Sequence, residues 1–135
     1  MLPFRDQSFD IVFSNSVIEH VGTREQQRRF ADEVARVGRS YWIQTPNRLF
    51  PVELHVMLPL VHYFPKSLQR AIVERFTIWE RVAHPTRAER AYYIAHFLNE
   101  LNLLDPLALQ ALFPEARIVK ERFFGFVKSI VAAKG

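Results

Sequence analysis

The chain has 135 residues, of which 49% are apolar, and its 18 basic and 14 acidic residues give a formal net charge of +4. This length and apolar content suffice for one domain with one hydrophobic core. The basic residues are interspersed with acidic ones, so the charge does not indicate a nucleic-acid partner. The sequence contains no cysteine, which excludes a disulfide framework and a thiolate metal site.

The first 48 residues predict a strand, a helix and a second strand. Residues 9–14 are mainly apolar, β-branched and aromatic, which is typical of a strand buried in a parallel sheet. Thr23 and Gln26 match a capping box that begins a helix, and Gly38 would end it. Residues 40–45 predict the second strand. This order indicates one right-handed parallel unit.

The rest of the chain predicts a helical insertion followed by a hairpin. Prolines at 51, 59, 65, 85 and 106 would divide the mainly helical residues 49–112 into short pieces, as in an inserted cap. Two strand-like segments, separated by Phe124 and Gly125, then predict a closing antiparallel hairpin within residues 113–135. The expected fold class is therefore α/β with a mixed sheet.

The amino terminus and the most apolar segment of the chain indicate where in the cell the protein is expected. No cationic leader followed by an apolar stretch is visible at the amino terminus, so the cytoplasm is the expected location. Residues 49–65 are interrupted by charged residues and prolines, whereas a membrane-spanning helix needs about 20 nearly uninterrupted apolar residues. We expect no transmembrane segment. A peripheral membrane role is the least favoured hypothesis for this chain, because residues 49–65 have too few charges for a helix that lies in the membrane interface.

Polar side chains follow both predicted strands of the first unit. In open α/β sheets, ligands bind outside the carboxyl ends of parallel strands. The first candidates for a site are therefore the polar residues within and just after these two strand ends, namely Asn15, Glu19, His20, Asn47 and Arg48. The five histidines form no H-E-x-x-H motif, so we do not expect a metal site.

Several of these segments resemble one enzyme family. Residues 2–14, LPFRDQSFDIVFS, and residues 17–21, VIEHV, are similar to the region around the fourth strand of type 11 class I S-adenosylmethionine-dependent methyltransferases. YWIQTPN at 41–47 resembles the fifth strand of that family, and residues 121–129 resemble its last two strands. The resemblance implies the carboxyl-terminal half of a Rossmann-like methyltransferase sheet, with strands four and five parallel and a closing antiparallel hairpin.

The family's main cofactor-binding motifs are not among these residues. In the family, a glycine-rich turn after the first strand and an acidic residue after the second bind S-adenosylmethionine. The four glycines here, at 22, 38, 125 and 135, form no G-x-G motif after a strand. The expectation is an N-terminally truncated domain that transfers a methyl group to an unknown small-molecule or lipid-like acceptor. The alternative is a non-catalytic pseudoenzyme or fragment that acts, if at all, by protein contact.

The resemblance also implies residue roles, each with a structural alternative. Cofactor contacts would come from Leu2, Ser14, Asn15 and His20; Asn15 could equally serve only to end its strand. Glu19 and His20 would remove a proton from the acceptor, because histidine titrates near neutrality, or they would cap a turn and pair with arginine. The acceptor contacts would be Asn47, Arg48, Glu53 and His55, unless these residues only pack a loop.

The first strand has a further consequence. Alternation places Phe9, Ile11 and Phe13 on one face and Asp10, Val12 and Ser14 on the other. Too few residues precede this strand to supply a neighbouring strand, so its edge should be open in a monomer. An open apolar edge favours pairing with another chain, and we therefore expect possible self-association through it.

Overall fold

The computed structural model describes residues 2–53, 58–75 and 84–135. The chain forms two compact units, one made of residues 1–49 and 102–135 and the other of residues 50–101.

The first unit contains a mixed four-stranded sheet. Its strands are β1 (Phe9–Asn15), β2 (Gly38–Pro46), β5 (Arg117–Phe123) and β6 (Phe126–Lys134), in the spatial order β1-β2-β6-β5. β1 and β2 are parallel, and the other two pairs are antiparallel. The predicted α/β class and mixed sheet are confirmed. Only one of the three strand pairs is parallel, because the terminal hairpin returns beside β2.

Helix α1 (Arg24–Val37) joins the two parallel strands. Thr23 accepts a hydrogen bond from the Gln26 amide, and the Gln26 side chain accepts one from the Thr23 amide, so the predicted capping box is confirmed. Gly38 follows the helix at a close approach of the chain. A Cβ atom there would lie 2.7 Å from Cγ2 of Val12 and 2.9 Å from the Ser40 carbonyl oxygen, which is closer than real contacts allow.

One face of the sheet contributes to the core. Helix α1 and helix α4 (Pro106–Leu112) contact the sheet. Asp105 caps the amino terminus of α4, where its side chain accepts a hydrogen bond from the Ala108 amide. Ile43, Leu109 and Ile130 are fully buried in the core cluster. Burial of each such side chain contributes about 2 kcal/mol.

The opposite face of β1 is exposed. Ile11 and Phe13 have 62% and 67% of their surface accessible, and Phe9 and Trp42 are also exposed. β1 is one of the two edge strands, with β5, of the sheet formed by the described residues. The predicted alternation is observed from Ile11 onwards, with Val12 and Ser14 on the more buried side, whereas Asp10 is exposed.

The second unit, residues 50–101, combines short strands and helices. β3 (Val52–Glu53) and β4 (Leu58–Pro59) pair antiparallel, and helices α2 (Lys66–Val73) and α3 (Arg87–Glu100) follow. A capping box between Thr86 and Glu89 begins α3. The expectation of a mainly helical insertion at 49–112 did not include this strand pair. It also grouped α4 with the cap, whereas α4 lies in the sheet-containing unit.

None of the helices within the described residues is both long and apolar enough to span a bilayer.

Candidate functional site

The carboxyl ends of β1 and β2 lie side by side. Asn15 is in register with Gln44, and the Ser16 amide donates a hydrogen bond of 3.0 Å to the Gln44 carbonyl oxygen. Ser16 has a φ of 54°, which turns the chain away from the sheet directly after the strand. The two loops that follow these parallel strands therefore start at the same end of the sheet, where the carboxyl ends of the strands lie.

A buried polar contact joins the two strand ends. Glu19 lies in a short 3-10 turn (Ile18–His20), and both Glu19 and Thr45 are fully buried. The Thr45 hydroxyl donates a hydrogen bond of 2.8 Å to Oε2 of Glu19. Nε2 of His20 lies 3.9 Å from Oε1 of Glu19, and the His20 side chain is 27% exposed. Glu19 is thus held in the interior while part of the imidazole reaches the surface.

Gln27 and Asn102 form hydrogen bonds that hold this turn in place. Neither residue was selected from the sequence. Nε2 of Gln27, which is fully buried, donates hydrogen bonds to the carbonyl oxygens of Ile18 and Asn102, at 3.0 and 2.8 Å. The Asn102 amide in turn donates to the Glu19 carbonyl oxygen, at 2.8 Å. Gln27 precedes Ala31 by one helical turn on the buried side of α1, and a polar residue on an apolar helix face is the signal that could have identified it.

Two of the expected cofactor residues, Leu2 and Ser14, border one groove. The groove has a volume of about 480 Å³ and lies beside β1 and α1. Oγ of Ser14 is buried there and has no hydrogen-bond partner within the described part of the chain. The lining is mainly apolar and consists of Leu2, Val12, Phe13, Ser14, Arg29, Phe30, Glu33, Val34 and Val37.

Asn15 is not brought to the same surface as Ser14. Adjacent residues of a strand project to opposite faces, and Asn15 is exposed, with Oδ1 accepting a hydrogen bond of 3.2 Å from the Ser16 hydroxyl. The structure therefore divides the expected cofactor residues between two sides of the sheet.

Glu33, which lines the groove, forms an ion pair with Arg36. Arg36 donates to both carboxylate oxygens of Glu33, at 2.8 and 2.9 Å, and the Leu2 amide donates to the same carboxylate at 2.6 Å. These hydrogen bonds, that of Arg36 foremost, lower the pKa of Glu33 to about 2. Arg36 also donates to the carbonyl oxygens of Leu2 and Phe4 and to Asp6, so it fastens the amino-terminal segment to α1.

The expected acceptor residues have different surroundings. Asn47 is 5% exposed; its amide group donates to the Val127 carbonyl oxygen at 2.8 Å and its Oδ1 accepts from the Leu49 amide at 3.2 Å. These described contacts thus tie Asn47 to β6 and stabilise the loop that follows β2. Arg48 is exposed. Glu53 lies in β3 of the other unit, and His55 lies outside the described residues.

One family model and two curated proteins match parts of this chain. Residues 1–40 match the family described as "Methyltransferase domain". The resemblance to class I S-adenosylmethionine-dependent methyltransferases is thereby confirmed at the amino terminus of the chain. The matched segment contains β1, the turn with Glu19 and His20, and α1.

Two curated relatives match about half of the chain. They are the uncharacterized proteins MT1557 and Rv1509, from the CDC 1551 and H37Rv strains of Mycobacterium tuberculosis. Each is 36% identical over 63 residues, which are 47% of this chain and 21% of the relative. The match thus spans about a fifth of each relative's length. No solved structure matches the chain with statistical significance.

Proposed function

We propose that this chain contributes the strand-end surface of an S-adenosylmethionine-dependent methyltransferase whose acceptor is a small or lipid-like molecule. The observation that supports this most is the buried hydrogen bond between Thr45 and Glu19, at 2.8 Å. It joins the carboxyl ends of two parallel strands, where open α/β sheets bind ligands. The methyltransferase match of residues 1–40 gives the reaction type.

The residues present fit only one side of the cofactor. The buried, unpartnered hydroxyl of Ser14 offers a hydrogen bond beside an apolar groove. No glycine-rich turn that could surround the cofactor occurs among the 135 residues. When bound, the cofactor supplies an electrophilic methyl group. We place it across the carboxyl ends of β1 and β2, in the second half of a Rossmann-like methyltransferase sheet.

His20 is the proposed base in this scheme. Its imidazole is partly exposed beside the strand ends and can accept the proton that an oxygen or nitrogen acceptor loses on methylation. Glu19 is fully buried and fixed by Thr45, so we assign it the positioning of the turn that presents His20. Arg48, which is exposed after β2, is the acceptor-binding candidate, whereas the contacts of Asn47 favour a supporting role.

A non-catalytic role by protein contact is the second candidate. The observation that favours it is that no glycine-rich turn occurs among these residues. In that case the buried Thr45 and Glu19 pair only stabilises the fold, and His20 has no chemical role.

Titration of the isotope-labelled chain with S-adenosylmethionine, followed by NMR, tests the proposal. We expect binding with a Kd of about 1 mM or weaker, worth about 4 kcal/mol or less, because the glycine-rich turn is missing. Amide shifts should concentrate at Asn15, Ser16 and His20. Shifts that are spread evenly, or absent at these residues at saturating cofactor, would contradict the proposed site. Micromolar affinity would contradict the expected weakness.

Methyl transfer itself is tested with S-adenosylmethionine that has a tritiated methyl group. Because the expected Kd is about 1 mM or weaker, the cofactor is supplied at several millimolar. Incubation with the polar and lipid fractions of a cell extract should then label one fraction, which also separates the two acceptor classes. His20→Ala should abolish labelling, whereas His84→Ala, at an exposed histidine of the other unit, should not. Labelling that is absent with the unchanged protein, or equal in both variants, would favour the non-catalytic role.

A further inference from the structure

Three phenylalanine side chains are exposed at the turn between β5 and β6, which we call the hairpin tip (residues 123–126). Phe123, Phe124 and Phe126 have 54%, 87% and 57% of their surface accessible. The rings of Phe123 and Phe124 meet edge to face, with centroids 4.7 Å apart. Together the three side chains present about 400 Å² of apolar surface, taking about 200 Å² for a fully exposed ring. A patch of this size on a protein surface is often a binding surface.

The backbone of the hairpin tip is not the one that a phenylalanine prefers. Phe123 pairs with Phe126, so Phe124 and Gly125 form a two-residue turn, with φ values of 47° and 82°. Such a turn favours asparagine followed by glycine, because both residues have positive φ. The Phe124 ring, at 87% exposure, regains little of this cost by burial within the chain. A contact outside the chain explains the ring better than the stability of the turn does.

The hairpin tip lies at the ligand-binding end of the sheet. β6 runs antiparallel to β2, with Ser129 opposite Pro46, and the Asn47 amide donates a hydrogen bond of 2.9 Å to the Lys128 carbonyl oxygen. Residues 122–127 have strand partners only within the hairpin. The tip therefore extends past the carboxyl end of β2, on the side of the sheet away from β1.

The charges beside the hairpin tip are mainly positive. Residues 120–128 contain three basic side chains and one acidic side chain, Glu121, which accepts a hydrogen bond of 2.8 Å from a β2 side chain. Arg122 and Lys128 are exposed. Arg122 also donates to the Gly125 carbonyl oxygen at 3.1 Å, which keeps its guanidinium group next to the turn. Anionic lipid head groups have the complementary charge.

A lipid surface fits the hairpin tip better than a protein partner does. A stable protein interface buries about 800 Å² on each partner, about twice what the three rings offer. Binding to a bilayer interface needs only a modest apolar area together with basic residues near anionic head groups. The sequence argument against a membrane role concerned an interfacial helix within residues 49–65, and the hairpin is a different element.

We propose that the hairpin tip inserts into the head-group region of an anionic lipid bilayer, with Phe124 deepest and with Arg122 and Lys128 against lipid phosphates. Docking in this way brings the strand-end surface to the bilayer, where a lipid acceptor would be found. The docking follows from the hairpin alone, whereas the choice of a lipid acceptor rests on the proposed function.

Sedimentation of the chain with lipid vesicles tests the docking without cofactor. We expect binding to vesicles of equal parts phosphatidylglycerol and phosphatidylcholine, and binding at least about tenfold weaker to phosphatidylcholine alone. Phe124→Asn should weaken binding to the anionic vesicles about tenfold, whereas Phe124→Leu, which keeps an apolar side chain, should retain most of it. Asparagine suits this turn, so Phe124→Asn should remain folded, and circular dichroism checks this.

Two arginines on β5 form a matched pair for the charge. Arg122→Gln should weaken binding to the anionic vesicles about fivefold. Arg117→Gln removes the same charge at the other end of the strand, where Arg117 is also exposed. That end is about 20 Å from the tip, beyond the screening length of about 8 Å at physiological salt. Its effect should therefore stay below about twofold.

The proposal is wrong if the unchanged chain does not bind the anionic vesicles, which would leave a protein as the partner of the hairpin tip. It is equally wrong if Phe124→Asn binds as tightly as the unchanged chain, or if Arg117→Gln weakens binding as much as Arg122→Gln. Methyl transfer plays no part in this assay. Failure of vesicle binding therefore leaves the proposed methyl transfer standing, and failure of methyl labelling leaves the docking result standing.

Discussion

Replacement of Thr45 by valine tests whether the contact between the strand ends stabilises the fold. Valine keeps the shape of threonine but has a methyl group in place of the hydroxyl, so the variant removes the 2.8 Å hydrogen bond to Oε2 of Glu19 without opening a cavity. Both side chains are fully buried, so water cannot replace the lost donor without rearrangement. Leaving a buried polar group short of a partner costs about 1 to 3 kcal/mol.

The expected loss of stability is large enough to be measured by urea unfolding. A loss of about 2 kcal/mol in the free energy of unfolding, with a urea dependence of about 2 kcal/mol/M, lowers the urea midpoint by about 1 M. Trp42 lies on β2 close to Thr45 and can report unfolding of its own unit by fluorescence, once Trp79→Phe removes the second tryptophan. Circular dichroism in the same samples follows the helices.

Thr45→Ser is the matched control. It retains the hydroxyl and removes one methyl group, which costs about 1 kcal/mol. We expect Thr45→Val to be the less stable of the two variants. If the valine variant is equally stable or more stable than the serine variant, the hydrogen bond to Glu19 does not stabilise the turn. The assigned positioning role of Glu19 would then be wrong.

Three further predictions concern local features of the fold. The pKa of Glu33 is lowered from 4.5 to about 2, so the ion pair's contribution to stability is complete above pH 4.5 and is lost as the pH falls to 2. Glu33→Gln should remove this part of the acid dependence in thermal melts. Glu25→Gln, which alters an exposed ion pair, should leave it in place. Thr23→Ala should destabilise α1 by about 1 kcal/mol in urea unfolding, because the helix loses its cap, and an unchanged midpoint would refute this. Phe124 has a φ of 47°, so Phe124→Asn should raise the unfolding free energy by about 1 kcal/mol, whereas a lower value would mean that the Phe124 ring stabilises the hairpin.

Local sequence signals predicted the elements whose determinants are adjacent in the chain. The capping box of Thr23 and Gln26 depends on residues three apart, and Gly38 ends α1 where a side chain would collide. The turn at Phe124 and Gly125 follows from the glycine, whose φ is 82°. Alternation along β1 separated Ile11 and Phe13 from the buried face in the same way. Such features need only a few neighbouring residues, so they can be identified without the fold.

Contacts between distant residues were decided only by the tertiary structure. Asn47 follows a predicted strand and so resembled a ligand-binding residue, but its side chain bonds to Val127, 80 residues later. Glu19 was a candidate base from its place after the first strand, but hydrogen bonds from the Thr45 hydroxyl and from the backbone amide of Asn102 hold it in the interior. The sequence alone determined the residue types and the strand ends at which they occur. Which of these groups are buried, and which face the surface, depends on how segments far apart in the chain pack, because burial is a property of the whole fold.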